Sequence, residues 1–383
     1  MSVTAPQGFR AAGVAAGLKS TGAPDVALVV NDGPDDAAAA VFTTNRFPAA
    51  PVQWSRQVLS GGRLKAVVLN SGGANACTGP EGFQDTHATA EHLAAELGIG
   101  AIDVAVASTG LIGVRLPMDA LLAGVTDAVA GLSADGGTAA ARAIMTTDTV
   151  PKTTVQARAG WTVGGMAKGA GMLAPSLATM LVVLTTDAAV EAAVLQRALR
   201  AATSVSVERV DSDGCLSTND TVIAMANGAS GVTPSEEELT AALTAAASDL
   251  AMQLLADAEG STKDIAITVR NAASVADALT AGRACARNNL LKTALFGNDP
   301  NWGRVLAAIG TTDAAFEADR VDVTINGVTV CRGGAIGDPR EGVDLTGRAI
   351  TIDVDLRAGA EQATIWTNDL SIAYVHENSA YSS

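Results

Sequence analysis

A run of small and apolar residues near the middle of the chain carries the clearest chemical signal. It reads KGAGMLAPSLAT over 168–179 and leads into an apolar strand predicted over 180–184. If the Thr179 hydroxyl attacks the Ala178 carbonyl, an N→O acyl shift followed by hydrolysis frees an α-amine beside that hydroxyl. This amine, with an ordinary pKa of about 7.7–8.0, can serve as general base for its own side chain. The residues therefore predict self-cleavage between Ala178 and Thr179, although a glycine-rich turn that feeds a core strand explains them equally well.

A second segment could supply the hydrogen-bond donors that an acyl-transfer reaction needs. Residues 108–113 read STGLIG and follow a strand predicted over 104–107. Thr109 offers a hydroxyl and Gly110 an unobstructed backbone N–H, which are the kinds of donor that stabilise an oxyanion. Taken alone, a Thr-Gly pair after a strand is usually only a turn. Beside a threonine nucleophile, however, it predicts an oxyanion hole formed by Thr109 and Gly110.

The charge of the chain excludes several classes of partner. Its 383 residues include 25 Lys+Arg and 40 Asp+Glu, which gives a net charge of −15. Because phosphate groups and anionic lipids attract clustered basic residues, the absence of such clusters argues against nucleic acid and membrane surfaces as partners. No apolar run approaches the ~18 residues of a spanning helix, and the first residues do not resemble a signal peptide. A cytoplasmic location is therefore expected.

Metal and cofactor chemistry is not indicated by the sequence. The four Cys and three His are scattered without the spacing of metal ligands. The glycines form neither a dinucleotide-binding fingerprint nor a P-loop. We therefore expect no metal and no cofactor, and a nucleophile that carries its own base needs neither.

The elements that must position these segments alternate between strands and helices, which predicts an α/β or α+β fold but leaves the strand order open. With 3% aromatic residues and 39 glycines, the core must consist mainly of small and branched aliphatic side chains. Strands are predicted over 26–30, 38–42, 66–69, 104–107, 153–157, 161–165, 180–184, 265–269, 321–325 and 350–354. Helices are predicted near 85–97, 120–130, 137–145, 190–202, 235–258 and 277–291.

Motifs spread along essentially the whole chain match, in order, those of one family. Besides the run over 168–181, they lie at 41–45, 50–52, 70–79, 108–119, 145–149, 217–221, 259–263, 292–304 and 374–383. The chain thus resembles the ornithine acetyltransferases, also called glutamate N-acetyltransferases. Two departures are present: Gly73 stands where the family often has Asn, and the chain ends in Ser383 where many members end in Thr.

The resemblance implies a particular fold and a particular division of the chain. The fold would be a four-layer αββα sandwich similar to that of N-terminal-nucleophile-like amidases. Self-cleavage would produce an α chain, 1–178, with the oxyanion hole and a substrate-binding lysine, and a β chain, 179–383, with the nucleophile. The two chains would share one core and associate as an α₂β₂ heterotetramer or a larger assembly.

The resemblance also implies a reaction and a set of substrate contacts. N²-acetyl-L-ornithine would donate its acetyl group to Thr179, and L-glutamate would accept it, in a ping-pong reaction of arginine biosynthesis. Some members also use acetyl-CoA, and no residue decides whether this chain does. Lys168 would pair with the substrate α-carboxylate and Glu259 with the ornithine ammonium. The implied pocket comprises Thr146, Lys168, Thr179, Glu259, Asn378 and Ser383.

Two alternatives to a transferase are consistent with the same motifs. A related N-terminal-nucleophile amidase or aminopeptidase would cleave itself in the same way but would give the acyl group to water. A ligand-binding protein without activity would use the glycine-rich loops for packing alone. Self-cleavage, seen on a denaturing gel, would distinguish the two kinds of enzyme from the ligand-binding protein. The ratio of acetyl transfer to acetate release would then distinguish the transferase from the amidase or aminopeptidase.

Overall fold

The computed structural model describes residues 2–173 and 180–380, within which fifteen strands and ten helices occur. The predicted cleavage-site residues Ala178 and Thr179, and the terminal Ser383, lie outside these ranges. The strands are β1 (Phe9–Val14), β2 (Val26–Asn31), β3 (Ala37–Phe42), β4 (Ala66–Asn70), β5 (Val104–Ser108), β6 (Lys152–Ala157), β7 (Thr162–Lys168), β8 (Leu181–Thr186), β9 (Thr221–Ala226), β10 (Asp264–Ala272), β11 (Asp322–Ile325), β12 (Val328–Arg332), β13 (Ala335–Ile336), β14 (Ala349–Asp355) and β15 (Glu361–Asn368). The helices are α1 (Ala50–Leu59), α2 (Gly79–Leu97), α3 (Met118–Ala130), α4 (Gly137–Ala143), α5 (Ala192–Ser204), α6 (Glu236–Ala256), α7 (Val275–Ala286), α8 (Asn289–Phe296), α9 (Trp302–Ile309) and α10 (Ile372–Ala380).

Two sheets packed face to face form the centre of the molecule. One has the strand order β1-β2-β4-β5 and the other β3-β9-β8-β7-β6. Successive residues of a strand point to opposite faces of its sheet. In β8, Leu181 and Val183 therefore join the core between the two sheets, whereas Val182 and Leu184 join a second core beneath helices. The centre of the five-stranded sheet is thus buried on both faces, which explains why β8 and β9 are mainly apolar, whereas the edge strand β6 is polar and partly exposed.

Helices cover the outer faces of both sheets. Helices α2 and α3 pack against each other and the four-stranded sheet, while α5 and α6 pack against each other and the five-stranded sheet. The order of layers is therefore helix, sheet, sheet, helix, and the predicted αββα sandwich is confirmed. Helix α6 is long and apolar enough to cross a membrane, but half of it is buried in this packing. Its composition is that of a core helix.

Strands from both sides of residue 179 alternate within the five-stranded sheet. Strand β9 lies between β3, with which it pairs antiparallel, and β8, with which it pairs parallel. Strand β8 in turn pairs antiparallel with β7. The chain before residue 179 thus supplies β3, β7 and β6, and the chain after it supplies the two strands between them. A break at residue 179 would leave both pieces joined by this sheet.

The last third of the chain builds a further sheet that the sequence did not predict as a separate layer. Its order is β13-β12-β11-β14-β10-β15. Helix α7 packs on β10 and β15, and the sheet has a hydrophobic core of its own. The helix predicted over 277–291 is wrong in one respect, since α7 ends at Ala286 and α8 begins at Asn289. The Asn288 side chain accepts from the Leu291 N–H at 2.9 Å and starts the second helix.

Candidate active site

A cleft lies where strands of the two central sheets end. The parallel strands β4 and β5 end at Asn70 and Ser108, and β7 ends at Lys168, which pairs with Leu181 at the start of β8. Lys168 was predicted in a loop, but the structure makes it the last residue of a strand and fixes its backbone by that pairing. The cleft is lined by Ala74, Thr109, Gly110, Ile112, Thr146, Thr147, Lys168, Gly171, Met172, Ser217, Thr218, Asn219, Glu259 and Asn378.

All predicted site residues within the described ranges meet in this one cleft. They come from five separate parts of the chain: the turn after β5, the loop after α4, the end of β7, the loop after α6, and helix α10. These residues are Thr109, Gly110, Thr146, Lys168, Glu259 and Asn378. Thr179 and Ser383 lie outside the described residues, and Met180, the covalent neighbour of Thr179, immediately precedes β8.

Backbone hydrogen bonds fix the turn after β5, and within the described residues two of its donors are unused. The Thr109 N–H donates to the Asn70 carbonyl at 2.9 Å, and the Gly73 N–H donates to the Thr109 carbonyl at 3.1 Å. Gly110 has φ +129°, and a Cβ there would lie 2.8 Å from the Gly73 nitrogen, so only glycine fits. Among residues 2–173 and 180–380, neither the Gly110 N–H nor the Thr109 hydroxyl donates a hydrogen bond. Both are thus available to a ligand oxygen.

The Asn219 side chain holds the segment after β4 and the end of β5 together by hydrogen bonds, a role that the sequence did not predict. Its side-chain NH₂ donates to the Ala74 carbonyl at 2.6 Å and to the Ser108 carbonyl at 2.8 Å. Both acceptors belong to segments that enter the cleft, and Asn219 itself is buried. The signal was its place in the motif over 217–221, but nothing in the sequence indicates which carbonyls an amide will reach.

Lys168 is buried and contacts the proposed oxyanion-hole residue directly. Its Nζ donates to Thr109 Oγ1 at 3.2 Å and lies 4.0 Å from Asp148 Oδ2. Burial lowers the pKa of Lys168, and the Asp148 carboxylate opposes that shift. Since an ammonium can only donate, the Thr109 oxygen accepts, and the Thr109 proton is left to point elsewhere. Lys168 therefore orients the Thr109 hydroxyl, in addition to presenting a positive charge to the cleft.

Glu259 and Asn378 form the opposite wall of the cleft. The Asn378 side chain donates to Glu259 Oε2 at 3.0 Å, and the Glu259 N–H donates to the Ala170 carbonyl at 3.0 Å. Glu259 is only 7% exposed, so it is not the solvated helix-end acid that would be its simplest interpretation. Gly171 makes room for it, because a Cβ at that position would lie 2.7 Å from either carboxylate oxygen.

Asp220 anchors the described chain that follows Thr179. The Met180 N–H donates to Asp220 Oδ1 at 3.1 Å, and the Thr221 N–H donates to the Met180 carbonyl at 3.1 Å. Burial raises the pKa of Asp220 well above its ordinary value. These bonds fix the nitrogen through which Met180 is joined to Thr179. In the part of the chain that the structure describes, no cluster of three or more His, Cys, Asp or Glu side chains could hold a metal ion.

Comparison with known proteins identifies the family. The ArgJ family matches residues 10–383. The arginine biosynthesis bifunctional protein of Streptomyces avermitilis is 66% identical over 383 residues, the whole of both chains. That of Mycobacterium leprae is 60% identical over 390 residues, which cover all of this chain and 96% of the relative. A solved structure of Mycobacterium tuberculosis ornithine acetyltransferase complexed with ornithine is 63% identical, covers 47% of this chain and 96% of that chain, and has a TM-score of 0.45.

The layered fold, the cleft and these matches define an acyltransferase with a mixed α/β architecture. Its substrates are small molecules. More narrowly, the chain belongs to the ArgJ family and is an ornithine acetyltransferase/glutamate N-acetyltransferase of arginine biosynthesis. The resemblance, the fold class and the activity expected from the sequence are thereby confirmed.

Proposed function

We propose that the chain cleaves itself between Ala178 and Thr179 and then transfers acetyl from N²-acetyl-L-ornithine to L-glutamate through an acetyl ester on Thr179. One observation carries the proposal. The unused donors of Thr109 and Gly110, a buried lysine and a buried carboxylate converge in the cleft from which β8 departs. The sequence supports the choice of Thr179, since only Met180 separates it from Leu181, the first residue of β8.

Self-cleavage prepares the nucleophile. Thr179 Oγ attacks the Ala178 carbonyl carbon, the C–N bond breaks, and the acyl group moves from nitrogen to oxygen. Water then hydrolyses that ester and leaves a carboxylate on Ala178 and a free α-amine on Thr179. The amine provides a base directly beside the hydroxyl, and no histidine lines the described cleft to take that role.

Two acyl transfers through the same oxyanion hole complete the reaction. The Thr179 amine accepts the hydroxyl proton as Oγ attacks the acetyl carbonyl of N²-acetylornithine, and the oxyanion accepts hydrogen bonds from Thr109 and Gly110. The amine then returns the proton to the departing ornithine nitrogen. In the second half, the α-amine of glutamate attacks the acetyl ester and regenerates the free Thr179 hydroxyl.

The charges of the cleft suit the donor substrate. Lys168, a compact cation, would attract the α-carboxylate, and Glu259, on the opposite wall, would attract the side-chain ammonium of ornithine. Thr146 lies at the exposed rim, and its N–H is fixed by Asp148 Oδ2 at 3.0 Å, so its side chain can contact the ligand there. Asn378 and Ser383 would complete the pocket. The glutamate side chain needs water or a cation between itself and Glu259.

Replacing Glu259 by glutamine tests the ammonium contact. Hydrogen bonds to charged groups contribute about 1.5–3 kcal/mol, so kcat/KM for N²-acetylornithine should fall roughly 10–100-fold. Steady-state kinetics at a fixed glutamate concentration measures the loss. Glu236→Gln is the matched control, because Glu236 pairs with Arg197 on the surface of α6 and such exposed pairs contribute little. An unchanged kcat/KM in Glu259→Gln would contradict the assignment.

Gly171→Ala should disturb the same contact without altering any charge. The added Cβ would lie 2.7 Å from both Glu259 carboxylate oxygens, closer than any real Cβ contact, so that carboxylate must move. We expect KM for N²-acetylornithine to rise by about tenfold, since misplacing a binding group by an ångström can cost that much or more. Gly347→Ala is the control, because its Cβ would meet nothing within 4 Å. Equal KM values for the two variants would show that Glu259 does not hold the substrate.

Direct product analysis tests the reaction itself. The enzyme is incubated with N²-acetylornithine and glutamate, and both N-acetylglutamate and free acetate are quantified. We expect N-acetylglutamate to dominate. Acetate as the main product would instead assign the chain to the related amidases and aminopeptidases that transfer the acyl group to water.

Fragment association and location complete the proposal. Fragments 1–178 and 179–383 should stay together after cleavage, because β8 and β9 lie between β3 and β7 and form a ladder with each. Size exclusion under native conditions should therefore give one species, and a denaturing gel two bands. We propose that two copies of each fragment form an α₂β₂ heterotetramer in the cytoplasm, which the mass of the native species tests.

A second activity is favoured by the name of the relatives, which are bifunctional proteins of arginine biosynthesis. Acetyl-CoA would then acetylate Thr179 in place of N²-acetylornithine, and glutamate would again accept the acetyl group. Thiol release from acetyl-CoA in the presence of glutamate measures this activity. No thiol release above the rate of a Thr179→Ala sample would limit the enzyme to N²-acetylornithine as donor.

A further inference from the structure

A group of four buried charges lies directly beneath the cleft. Lys152 Nζ is 2.6 Å from Asp148 Oδ1 and 2.5 Å from Asp257 Oδ2. Lys168 Nζ lies 4.0 Å from the other oxygen of Asp148. The side chains of Lys152 and Asp148 are entirely shielded from solvent, and that of Lys168 nearly so. Two cations and two anions thus balance one another, and Asp257, whose side chain is 8% exposed, is the member nearest to solvent.

Asp148 joins this group to the binding cleft. Besides the two lysines, it accepts from the Gly169 N–H at 2.7 Å through Oδ1 and from the Thr146 N–H at 3.0 Å through Oδ2. Thr146 and Lys168 are both residues of the cleft, and Gly169 follows Lys168 in the chain. A single carboxylate therefore fixes the backbone on both sides of the site and faces the Lys168 ammonium.

Asp257 offers a contrast within the same group. Its Oδ2 accepts from Lys152 and from the Thr149 N–H at 3.0 Å, and its Oδ1 accepts from the Thr149 hydroxyl. None of its contacts is with Lys168, with Thr109 or with another residue of the described cleft. The two aspartates thus share Lys152 as a partner, but only Asp148 faces the cleft.

We propose that Asp148 is a positioning residue that keeps Lys168 charged and holds its ammonium against the Thr109 hydroxyl, so that the Thr109 proton points at the reacting carbonyl. The inference rests on the proposed function, because it acts through the oxyanion hole assigned there. Without the Asp148 charge, the Lys168 ammonium would lie near the positive charge of Lys152, which Asp257 alone would then balance. Loss of the Lys168 proton would then let its nitrogen accept from Thr109 and turn the hydroxyl proton away from the substrate.

The charged groups around Lys168 fix the sign of the expected change. Asp148, Glu259 and Asp220 raise the pKa of Lys168, and Lys152 lowers it, while Lys19 also lies within electrostatic range. Burial outweighs these carboxylates and leaves the pKa below its ordinary value of 10.5. Removing the nearest carboxylate lowers it further. The alkaline limb of the rate, where Lys168 loses its proton, should therefore move to lower pH.

Asp148→Asn tests this inference in the full-length enzyme. The rate of Thr179 acetylation by N²-acetylornithine is measured in single turnovers across pH, so that the titration of glutamate does not enter. Because an opposite charge at this distance shifts a pKa by about 1–3 units, we expect the alkaline limb to move down by a comparable interval. Asp257→Asn is the control, because it also removes one carboxylate partner of Lys152. The alkaline limb of this variant should stay at the wild-type pH. Asp148→Glu keeps the charge and should restore the limb even if the absolute rate is lower.

The outcomes separate this inference from the function beneath it. An Asp148→Asn enzyme that is slower at every pH, with its alkaline limb unmoved, overturns the inference and leaves Asp148 as a structural residue. Equal shifts in Asp148→Asn and Asp257→Asn overturn it as well, because the effect would then come through Lys152. Failure of the proposed function appears differently, as absence of Thr179 acetylation in the wild-type enzyme. Should Asp148→Asn fail to fold, an alkaline limb displaced in Asp148→Glu would equally count against the inference.

Discussion

Replacing Thr179 by alanine is expected to leave the chain as a single uncut polypeptide without acetyltransferase activity. The variant lacks the hydroxyl that attacks the Ala178 carbonyl, so no new N-terminus forms, and neither nucleophile nor amine base is then present. On a denaturing gel the wild-type protein should give fragments of 178 and 205 residues, and the variant one band of 383. N-terminal analysis of the 205-residue fragment should read Thr-Met-Leu, beginning at Thr179.

Thr179→Ser is the matched variant for this experiment. It keeps a hydroxyl on the same backbone and should therefore cleave and transfer acetyl, at a lower rate. If Thr179→Ala is cut at residue 178, or if it transfers acetyl as the wild type does, Thr179 is not the nucleophile. An uncut wild-type chain after long incubation would count equally against self-cleavage.

Replacing Thr109 by valine is expected to reduce kcat by about 10²–10³, which is the usual cost of losing one oxyanion-hole donor. Valine has nearly the shape of threonine, so the turn that is held by Asn70 and Gly73 should persist. The change removes the donor for the oxyanion and leaves the Lys168 ammonium without its hydroxyl acceptor. Because the lost interaction belongs to the transition state, kcat and kcat/KM should fall together.

Thr185→Val controls for the loss of a buried hydroxyl. Thr185 lies in β8 and is 1% exposed, and its hydroxyl donates to the Val3 carbonyl at 2.7 Å. It does not line the cleft. Its replacement should cost about 1 kcal/mol of the free energy of unfolding and leave kcat unchanged. If Thr109→Val and Thr185→Val have the same kcat, Thr109 does not stabilise the oxyanion.

Several central strands were predictable because burial on both faces leaves continuous apolar runs in the sequence, but β9, which is fully buried between β3 and β8, was not predicted. Strands β2, β4, β5 and β8 are continuous apolar runs, and each was predicted to within about two residues. Helix α6 was equally clear, since Ser235 caps it and accepts from the Glu238 N–H at 3.2 Å. The order of the strands was not predictable, because it depends on pairings between distant segments such as β3 with β9.

The last sheet was predicted only in part. Strand β12 is short and half exposed, and β13 has two exposed residues, so neither has the apolar run that marks a buried strand. Helices α8 and α9 have eight residues each, too few for a clear helical period. Helices α8 and α9 pack against α7, and β12 pairs with β11 and β13, which are contacts that a local pattern does not contain.

Within the site, residue types could be predicted but their partners could not. Thr109 and Gly110 follow from the chemistry of acyl transfer, and Thr146, Glu259 and Asn378 from resemblance to the family. The contact between Lys168 and Thr109 joins residues 59 positions apart. The role of Asp148 depends on three hydrogen-bond donors and the Lys168 ammonium, which come together only in the folded chain. Such contacts arise from tertiary packing.

The acetyl ester on Thr179 is the intermediate on which the proposed mechanism depends, and mass spectrometry observes it directly. The enzyme is incubated with N²-acetylornithine in the absence of glutamate, denatured in acid, and its fragments are weighed. We predict one added acetyl group on fragment 179–383, located at Thr179 after digestion and lost when glutamate is added before denaturation. An unmodified fragment, or an acetyl group on another residue that glutamate discharges, would contradict the mechanism.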